Sequence, residues 1–133
     1  MTPGHIDFST PGEGEDCRMV REILDLIGDK WTLYIIATLK DGPVRFNELR
    51  RRIDGISQRM LTINLRGLER DGLVKRTLFP TIPPRVDYEL TSVGKTLLAP
   101  VMGLVTWANG NQESIRHARD RYDAIQGADL SEL

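Results

Sequence analysis

The order of local signals between Arg45 and Leu90 constrains the fold more than any other feature of the chain. A short helical pattern is followed by Asp54-Gly55, then by a longer helical pattern, and then by two stretches in which apolar and polar residues alternate. Asp-Gly pairs favour turns, and alternation with a period of two is typical of strands. The stretch therefore predicts a winged helix-turn-helix, which is mainly α with a small β-hairpin wing.

The longer helix of this region has the clearest start signal. Ser57 is a suitable N-cap, and Ile56 and Leu61 occupy the two positions of a hydrophobic staple. Leu65 and Leu68 continue the stripe that begins at Leu61. This spacing predicts a helix that turns one leucine-rich face toward the core.

A hairpin is predicted after Asp71-Gly72, where the helix pattern stops. The first strand is expected within residues 73–79 and the second within residues 86–90. The segment between them, residues 80–85, contains three prolines, which lack the N–H donors that a strand ladder needs. It is therefore predicted to project as a stiff loop, the wing.

Two helices are predicted before this region. The first runs from Cys17, and Gly28 is expected to end it as a left-handed residue. Asp29 is the expected N-cap of a second helix that is apolar on nearly every side and therefore mostly buried. Val44 is expected in a short extended piece, after which Asn47 is the expected N-cap of the short helix before the turn.

The flanks predict the domain organisation. Residues 1–16 lack an apolar pattern and are expected to form a flexible arm, residues 17–126 a single winged domain, and residues 127–133 a tail. Apolar residues at helical spacing continue after the hairpin, which predicts a homodimer through the N- and C-terminal helices. Packing of the last helices onto the first within one chain is the alternative. The predicted interface residues are Val20, Ile23, Leu24, Leu104, Trp107, Ile115 and Tyr122.

Charge is distributed unevenly along the chain. Residues 45–85 include ten basic and four acidic residues, so this segment carries +6, whereas the remaining residues carry −7 and the whole chain −1. The local field governs encounter with a polyanion, so the net charge does not argue against nucleic acid. Arginines that only solvate helix surfaces would give the same count, and charge alone leaves both interpretations open.

The face of the long helix opposite its leucines is the predicted DNA-reading surface. A step of 100° per residue places Arg59, Thr62, Ile63, Arg66 and Arg70 there, with Gln58 at the N-terminal edge. Arginine suits guanine and glutamine suits adenine, so Gln58, Arg59 and Thr62 are predicted to read bases. Phosphate contacts are predicted for Arg45, Arg50, Arg51, Ser57 and Arg66. Arg85, at the proline-rich tip, is predicted to reach the minor groove.

Three features together follow the pattern of one known family. They are Cys17, the run IGDKWT at 27–32, and the run RFNELRRRIDGISQRMLTINLRGLERDGLVKRTLFPTIPPRVDYELTSVGK at 45–95. From Cys17 to about Trp107 the chain resembles the HxlR-type family of bacterial winged-helix transcription regulators, relatives of the MarR group. The resemblance implies a dimer that binds near-palindromic operator DNA, with the helix that starts at Ser57 as its recognition helix. Arg18 departs from the family pattern, which commonly has proline there, and Gly67 is unusual within a recognition helix.

Cys17 is the one cysteine of the chain and a candidate redox-sensing residue. The resemblance implies this role, because similar family members respond to oxidants or electrophiles through the aligned cysteine. A predicted helix N-terminus with Arg18 and Arg21 nearby favours a thiolate, while Glu15 and Asp16 oppose it. Oxidation could end only in a disulfide between two chains or with a small thiol. An inert, partly buried cysteine is the alternative.

Other functions find less support in the sequence. A small-molecule effector is possible at the dimer interface, in a cleft lined by Trp31, Tyr34 and Trp107, although aromatic residues at helical spacing more often belong to a core. His5, His117 and the single cysteine cannot form a zinc cluster, and neither a metal nor another cofactor is predicted. A Gly-rich phosphate loop, an HExxH motif and a nucleophile elbow are all absent, so an enzyme is not expected. A winged helix used for protein contacts is the alternative function.

The sequence also bears on where the protein works. It contains no run of eighteen apolar residues and no basic and apolar leader at its start, so neither a membrane span nor a secretion signal is expected. A cytoplasmic protein is predicted.

Overall fold

A computed structural model describes residues 15–131 and the side chains of residues 16–128. The chain divides after Leu98 into two compact units, which are described separately below. The helices and strands in chain order are α1 (Glu15–Ile27), α2 (Lys30–Thr38), β1 (Val44–Arg45), α3 (Phe46–Arg52), α4 (Gln58–Arg70), β2 (Val74–Phe79), β3 (Arg85–Leu90), α5 (Ser92–Lys95), α6 (Leu98–Gly110) and α7 (Gln112–Ser131).

The first unit contains a three-stranded antiparallel sheet in the order β1-β3-β2. Val74 pairs with Leu90 at one end of the hairpin, and Phe79 pairs with Arg85 at the other. β1 adds only two residues, with Val44 opposite Tyr88. The predicted hairpin wing is thus confirmed, and the loop that closes it spans residues 80–84, with a cis peptide bond between Ile82 and Pro83.

The core of the first unit lies where α2, α3 and α4 meet the sheet. α2 is the central helix, as predicted from its apolar residues on nearly every side, and Thr32 is buried in it together with the isoleucines. α3 and α4 add leucines to the same core, because their apolar residues recur at three- and four-residue spacing. The apolar side chains of this unit that are at most 1% exposed are Ile35, Ile36, Leu39, Leu49, Leu61, Leu65 and Leu68.

One predicted helix start and one predicted backbone conformation are wrong, although α1 does end before Gly28 as expected. α3 begins at Phe46 with Arg45 as its N-cap and without a capping side chain, so Asn47 is not the cap. Arg45 is held in the extended conformation because it pairs with Asp87 in the sheet, and the helix can start immediately after it. Gly28 does not have a positive φ, and its N–H donates to Leu24 O at 2.7 Å. The chain changes direction at the following residue, the extended N-cap of α2.

Both ends of the predicted domain are more helical than expected. α1 starts at Glu15, so residues 15 and 16 belong to a helix and not to the arm, and residues 1–14 lie outside the described residues. Acidic residues are favourable in the first turn of a helix, which accounts for the earlier start. α7 continues to Ser131, so residues 127–131 of the predicted tail are helical as well. Alanine and leucine in this stretch favour continuation of the helix.

The second unit consists of most of α6 together with α7. Pro100 lies in the first turn of α6, where a residue without an N–H donor removes no helical hydrogen bond. Asn111 separates the two helices, and its N–H donates to Trp107 O at 3.0 Å. Within residues 15–131, no helix combines the length and the apolar character that crossing a bilayer requires.

Candidate DNA interface

α4 begins where its sequence predicts. Ser57 has extended backbone angles, and its Oγ accepts a hydrogen bond from Met60 N at 3.0 Å. Ile56 and Leu61 are 6% and 0% exposed, so the hydrophobic staple is buried. The cap and the staple fix the direction in which the helix leaves the turn at Gly55, whose φ of 84° favours glycine.

The end of α4 is equally well defined. Gly72 has a φ of 73°, and its N–H donates to Glu69 O at 3.0 Å. Leu73 N donates to Leu68 O at 2.9 Å, which completes a Schellman motif. The helix therefore stops at Arg70, and β2 starts four residues later.

The solvent side of α4 carries the side chains predicted to read DNA. Gln58, Arg59, Ile63, Arg66 and Arg70 are exposed, and Thr62 is half-buried. All of them except Arg70 line one shallow surface depression. This arrangement combines hydrogen-bond donors and acceptors with methyl groups on a convex helix, which is the chemistry that reads base edges in a major groove.

A buried polar contact, which we did not predict, holds α4 against α2. Asn64 is 5% exposed, and its Oδ1 accepts a hydrogen bond of 3.0 Å from the Thr32 hydroxyl, which is fully buried. The amide of Asn64 also donates to Met60 O at 2.9 Å. Asn64 lies three residues after Leu61 and four before Leu68, so its place on the inward face follows from the sequence, but its partner on another helix does not.

Gly67 marks a close approach between α1 and α4. A Cβ at this position would lie 2.9 Å from Leu26 Cδ1, which is closer than side-chain atoms normally approach. Glycine therefore gives α1 room beside α4, despite its cost of about 1 kcal/mol relative to alanine within a helix. Leu26 is half-buried in this contact.

The arginines before the turn lie at the two ends of α3, with Arg45 at its N-cap and the other three in its last turn. Arg45, Arg50, Arg51 and Arg52 are all exposed. Arg51 forms an ion pair with Glu48 one turn earlier on the same helix. Three of the four arginines predicted to contact phosphate, Arg45, Arg50 and Arg51, therefore lie on one short segment before α4, and the fourth, Arg66, lies on α4 itself.

The wing does not present Arg85 as the sequence suggested. Arg85 lies at the first position of β3 and not within the tip loop. Its guanidinium carbon is 4.1 Å from the centre of the Phe79 ring, and its Nε is 3.3 Å from Asp87 Oδ1. The prediction that Arg85 sits at the wing tip is therefore wrong, because an aromatic ring and a carboxylate hold its side chain at the base of the loop.

An ion pair between Arg76 and Glu69 links the hairpin to α4. Arg76 Nε on β2 is 3.6 Å from Glu69 Oε2 near the end of α4. Tyr88 lies close to this pair, and burial raises the pKa of its hydroxyl, although Arg76 acts in the opposite direction. The phenol is therefore neutral at physiological pH.

Cys17 lies in the first turn of α1 and is half-buried. Within the described part of the chain, no group of three or more His, Cys, Asp and Glu residues could hold a metal ion. The Trp31 and Tyr34 rings meet edge to face, with their centres 6.0 Å apart. Trp107, the third aromatic residue of the predicted effector cleft, belongs to the second unit.

The predicted dimer residues are largely accessible within one chain. On α1, Val20 and Leu24 are each 47% exposed, and Ile23 is half-buried. Those on α6 and α7 are similar: Leu104, Trp107 and Tyr122 are 56–64% exposed, and Ile115 is half-buried.

Comparison with known proteins identifies the family. Residues 26–116 match the HxlR-like helix-turn-helix family. The HTH-type transcriptional regulator YdeP of Bacillus subtilis is 39% identical over 127 residues, which is 96% of this chain and 92% of YdeP. The solved structure of ytfH from Salmonella typhimurium superimposes with a TM-score of 0.75 and 35% identity, covering 82% of this chain and 96% of that one.

A further solved structure belongs to a redox regulator. HypR in its reduced form has a TM-score of 0.68 and 41% identity, covering 74% of this chain and 98% of HypR. These matches agree with the helix-turn-helix and the three-stranded sheet described above. The chain therefore belongs to the HxlR-like helix-turn-helix family, and it is a transcriptional regulator and not an enzyme.

Proposed function

We propose that this regulator binds a near-palindromic operator in duplex DNA as a homodimer, with α4 lying in the major groove. One observation carries the proposal: the exposed face of α4 brings together Gln58, Arg59, Thr62 and Arg66 on a helix that is fixed at both ends. A surface for an apolar protein partner would not need three exposed arginines beside a single acid on this helix. Chromosomal DNA is a cytoplasmic partner in bacteria, so the protein would work there.

The residues divide into two roles. Gln58, Arg59 and Thr62 lie in the first two turns of α4 and would read base edges, which gives sequence specificity. The phosphate contacts would come from Ser57 at the helix start and from arginines that flank it, namely Arg45, Arg50, Arg51 and Arg66. Phosphate contacts supply affinity and fix position, but they do not distinguish sequences.

Dimerisation would pair the recognition helices with the two halves of the operator. The apolar side chains exposed on α1, α6 and α7 support a second copy as the partner, since a palindromic site requires two-fold symmetry in the protein. We expect Trp107→Glu, at the 60% exposed tryptophan of α6, to favour monomers and to weaken operator binding. Analytical ultracentrifugation measures the first effect, and an unchanged dimer would refute this interface.

Regulation through Cys17 is a second proposal. The half-buried thiol lies in the first turn of α1, and HypR, which is similar over most of this chain, is described as a redox regulator. Since the chain has one cysteine, oxidation would join two protomers or add a small thiol. α1 also packs beside α4 at Gly67, so a displaced α1 would disturb the recognition helix.

The decisive experiment for operator recognition compares two duplexes. One is selected by the protein from a pool of randomised sequences, and the other is its scrambled counterpart. Fluorescence anisotropy should show a preference of roughly a thousandfold for the selected duplex, which Arg59→Ala should abolish. Arg121→Ala, which removes an exposed arginine of α7, is the matched control and should bind as the wild type does. Equal, weak binding of both duplexes would instead indicate a winged helix that contacts proteins.

The same assay tests the thiol. Diamide should weaken binding of the wild-type protein and leave Cys17→Ser unaffected. If both proteins respond equally, or neither does, Cys17 is not the sensor. A small molecule at the dimer interface, near Trp31 and Tyr34, would then be the effector to look for.

A further inference from the structure

The tip of the wing presents a hydrocarbon side chain and no free charge. Ile82 is fully exposed at the centre of the loop formed by residues 80–84, and the other four residues of this loop are a threonine and three prolines. The arginine that follows the loop, Arg85, is held back at its base by Phe79 and Asp87. Whatever meets the tip of the wing meets Ile82 first.

The loop that carries Ile82 is stiff. Thr81 N donates to Phe79 O at 2.8 Å, and the Thr81 hydroxyl donates to Pro83 O, also at 2.8 Å. The three prolines fix their own φ angles. Single exposed isoleucines are common on flexible loops. An isoleucine held in a fixed position loses little conformational entropy when it binds another molecule.

A groove separates the loop from β1 and the start of α3. Its volume is about 920 Å³. It is lined by Ile82, Pro83 and Arg85 on the wing side and by Arg45, Glu48 and Arg51 on the other, where Glu48 is the ion-pair partner of Arg51. A phosphate suits Arg45, which has no ion-pair partner among the described residues, and sugars and base edges suit the apolar side chains of the wing. This pairing of a cationic wall with a hydrocarbon tip fits one strand of duplex DNA better than it fits a protein surface.

We propose that Ile82 is an apolar wedge, which enters the minor groove at one base step beside the bases that α4 contacts and partly unstacks that step. The inference rests on the proposed DNA binding by α4 and deepens it. Unstacking is cheapest at pyrimidine–purine steps such as TA and CA/TG. Ile82 therefore makes the protein prefer a deformable step at a position where it forms no hydrogen bond to a base.

The test uses the duplex that the wild-type protein selects from the randomised pool. 2-Aminopurine is placed in turn at each step outside the major-groove contacts, and its fluorescence reports unstacking. We expect a rise at one step per half-site with wild-type protein and with Ile82→Leu, and none with Ile82→Ala. Ile82→Ala should also weaken binding about tenfold, the expected effect of losing a partly buried isoleucine contact.

Two further readouts separate a wedge from other roles. The first is the slope of the logarithm of the binding constant against the logarithm of the salt concentration. Ile82→Ala should leave this slope unchanged because no phosphate contact is lost, whereas Arg45→Ala should reduce it by about one. Leu78→Ala is the matched control, since it truncates a side chain on the same hairpin that is 58% exposed but lies on a strand. It should leave both the 2-aminopurine signal and the affinity unchanged.

Three results would overturn the inference. Specific binding by Ile82→Ala with wild-type affinity and fluorescence would show that the tip does not enter DNA, and a protein partner would then be the occupant to seek. Equal losses in Leu78→Ala and Ile82→Ala would show that hairpin stability is responsible. If the wild-type protein did not prefer the selected duplex over its scrambled counterpart, the proposed function would fail as well. This comparison is made with the wild-type protein before any Ile82 variant is tested.

Discussion

Thr32 on α2 and Asn64 on α4 share a buried hydrogen bond, so removing only one of the two partners should destabilise the protein. Thr32→Val replaces the hydroxyl with a methyl group of nearly the same shape, so the side chain still fills its site. The acceptor, Asn64 Oδ1, then loses the 3.0 Å hydrogen bond from Thr32 while it stays buried. No water reaches it easily, because Asn64 is only 5% exposed.

The expected loss follows from the group left behind. A buried polar atom without its partner costs about 1–3 kcal/mol, and we expect Thr32→Val to lower the free energy of unfolding by this amount. Asn64→Leu should cost a similar amount, since it removes the acceptor and leaves the Thr32 hydroxyl buried. The double variant removes both polar groups, so its cost should fall below the sum of the single costs by about 1 kcal/mol or more.

Urea unfolding followed by tryptophan fluorescence measures these values. All variants are compared at one protein concentration, because the stability of a dimer depends on it. Thr38→Val is the matched control on the same helix: its hydroxyl donates to Tyr34 O at 2.7 Å in an exposed position. It should change stability by less than about 0.5 kcal/mol. Single-variant costs that simply add in the double variant would refute the coupling between α2 and α4.

Three further predictions concern glycine packing, the cap of α4 and the charges of the proposed DNA interface. In Gly94→Ala, the new Cβ would lie 2.0 Å from Leu73 O, so the backbone must shift, and urea unfolding should show a free energy of unfolding lowered by about 3 kcal/mol. Gly127→Ala has open space around its Cβ and should instead raise the free energy of unfolding by up to about 1 kcal/mol. A destabilising Gly127→Ala would contradict this comparison. Ser57→Ala removes the cap on Met60 N and should cost about 1 kcal/mol, and a cost near zero would mean that the staple alone starts α4. In a salt titration of operator binding, the slope of the logarithm of the binding constant against the logarithm of the salt concentration should fall by about one in Arg45→Ala and stay unchanged in Arg85→Ala. A reduced slope in Arg85→Ala would mean that Arg85 leaves Asp87 to bind phosphate.

Most of the fold could be predicted from the sequence because the interactions that define it join residues close together in the chain. The cap at Ser57, the buried staple and the Schellman motif at Gly72 each involve residues within a few positions of one another. The inward leucines of α4 follow from helical spacing alone. Helix, turn, helix and hairpin were therefore predicted in the correct order, whereas the family followed from the resemblance of longer sequence runs and not from these local signals.

A distant partner explains what the sequence missed around Asn47 and Asn64. Asn47 is a good cap by composition, but β1 pairs with β3 and holds Arg45 in the extended conformation, so α3 starts earlier. The partner of Asn64 lies 32 residues away on α2, and no local pattern specifies it. Arg85 is an intermediate case. Asp87 lies two residues further along the same strand and so faces the same side, which the sequence could have shown, whereas the approach of Phe79 depends on the hairpin register.

Ion pairing divides the basic segment into two functional parts. Of its ten basic residues, Arg51, Arg76 and Arg85 have acidic partners, whereas Arg45, Arg50, Arg52, Arg59, Arg66, Arg70 and Lys75 have no ion-pair partner among the described residues. Both paired arginines of the hairpin stabilise its position, one against α4 and one within the wing itself. The charges available to phosphate are concentrated on α3, on α4 and at their flanks. The net charge of −1 is thus compatible with the proposed DNA binding, because unpaired arginines remain on α3 and α4 while both arginines of the hairpin are paired with acids. The proposed contact of the wing tip with DNA would accordingly depend on shape more than on charge.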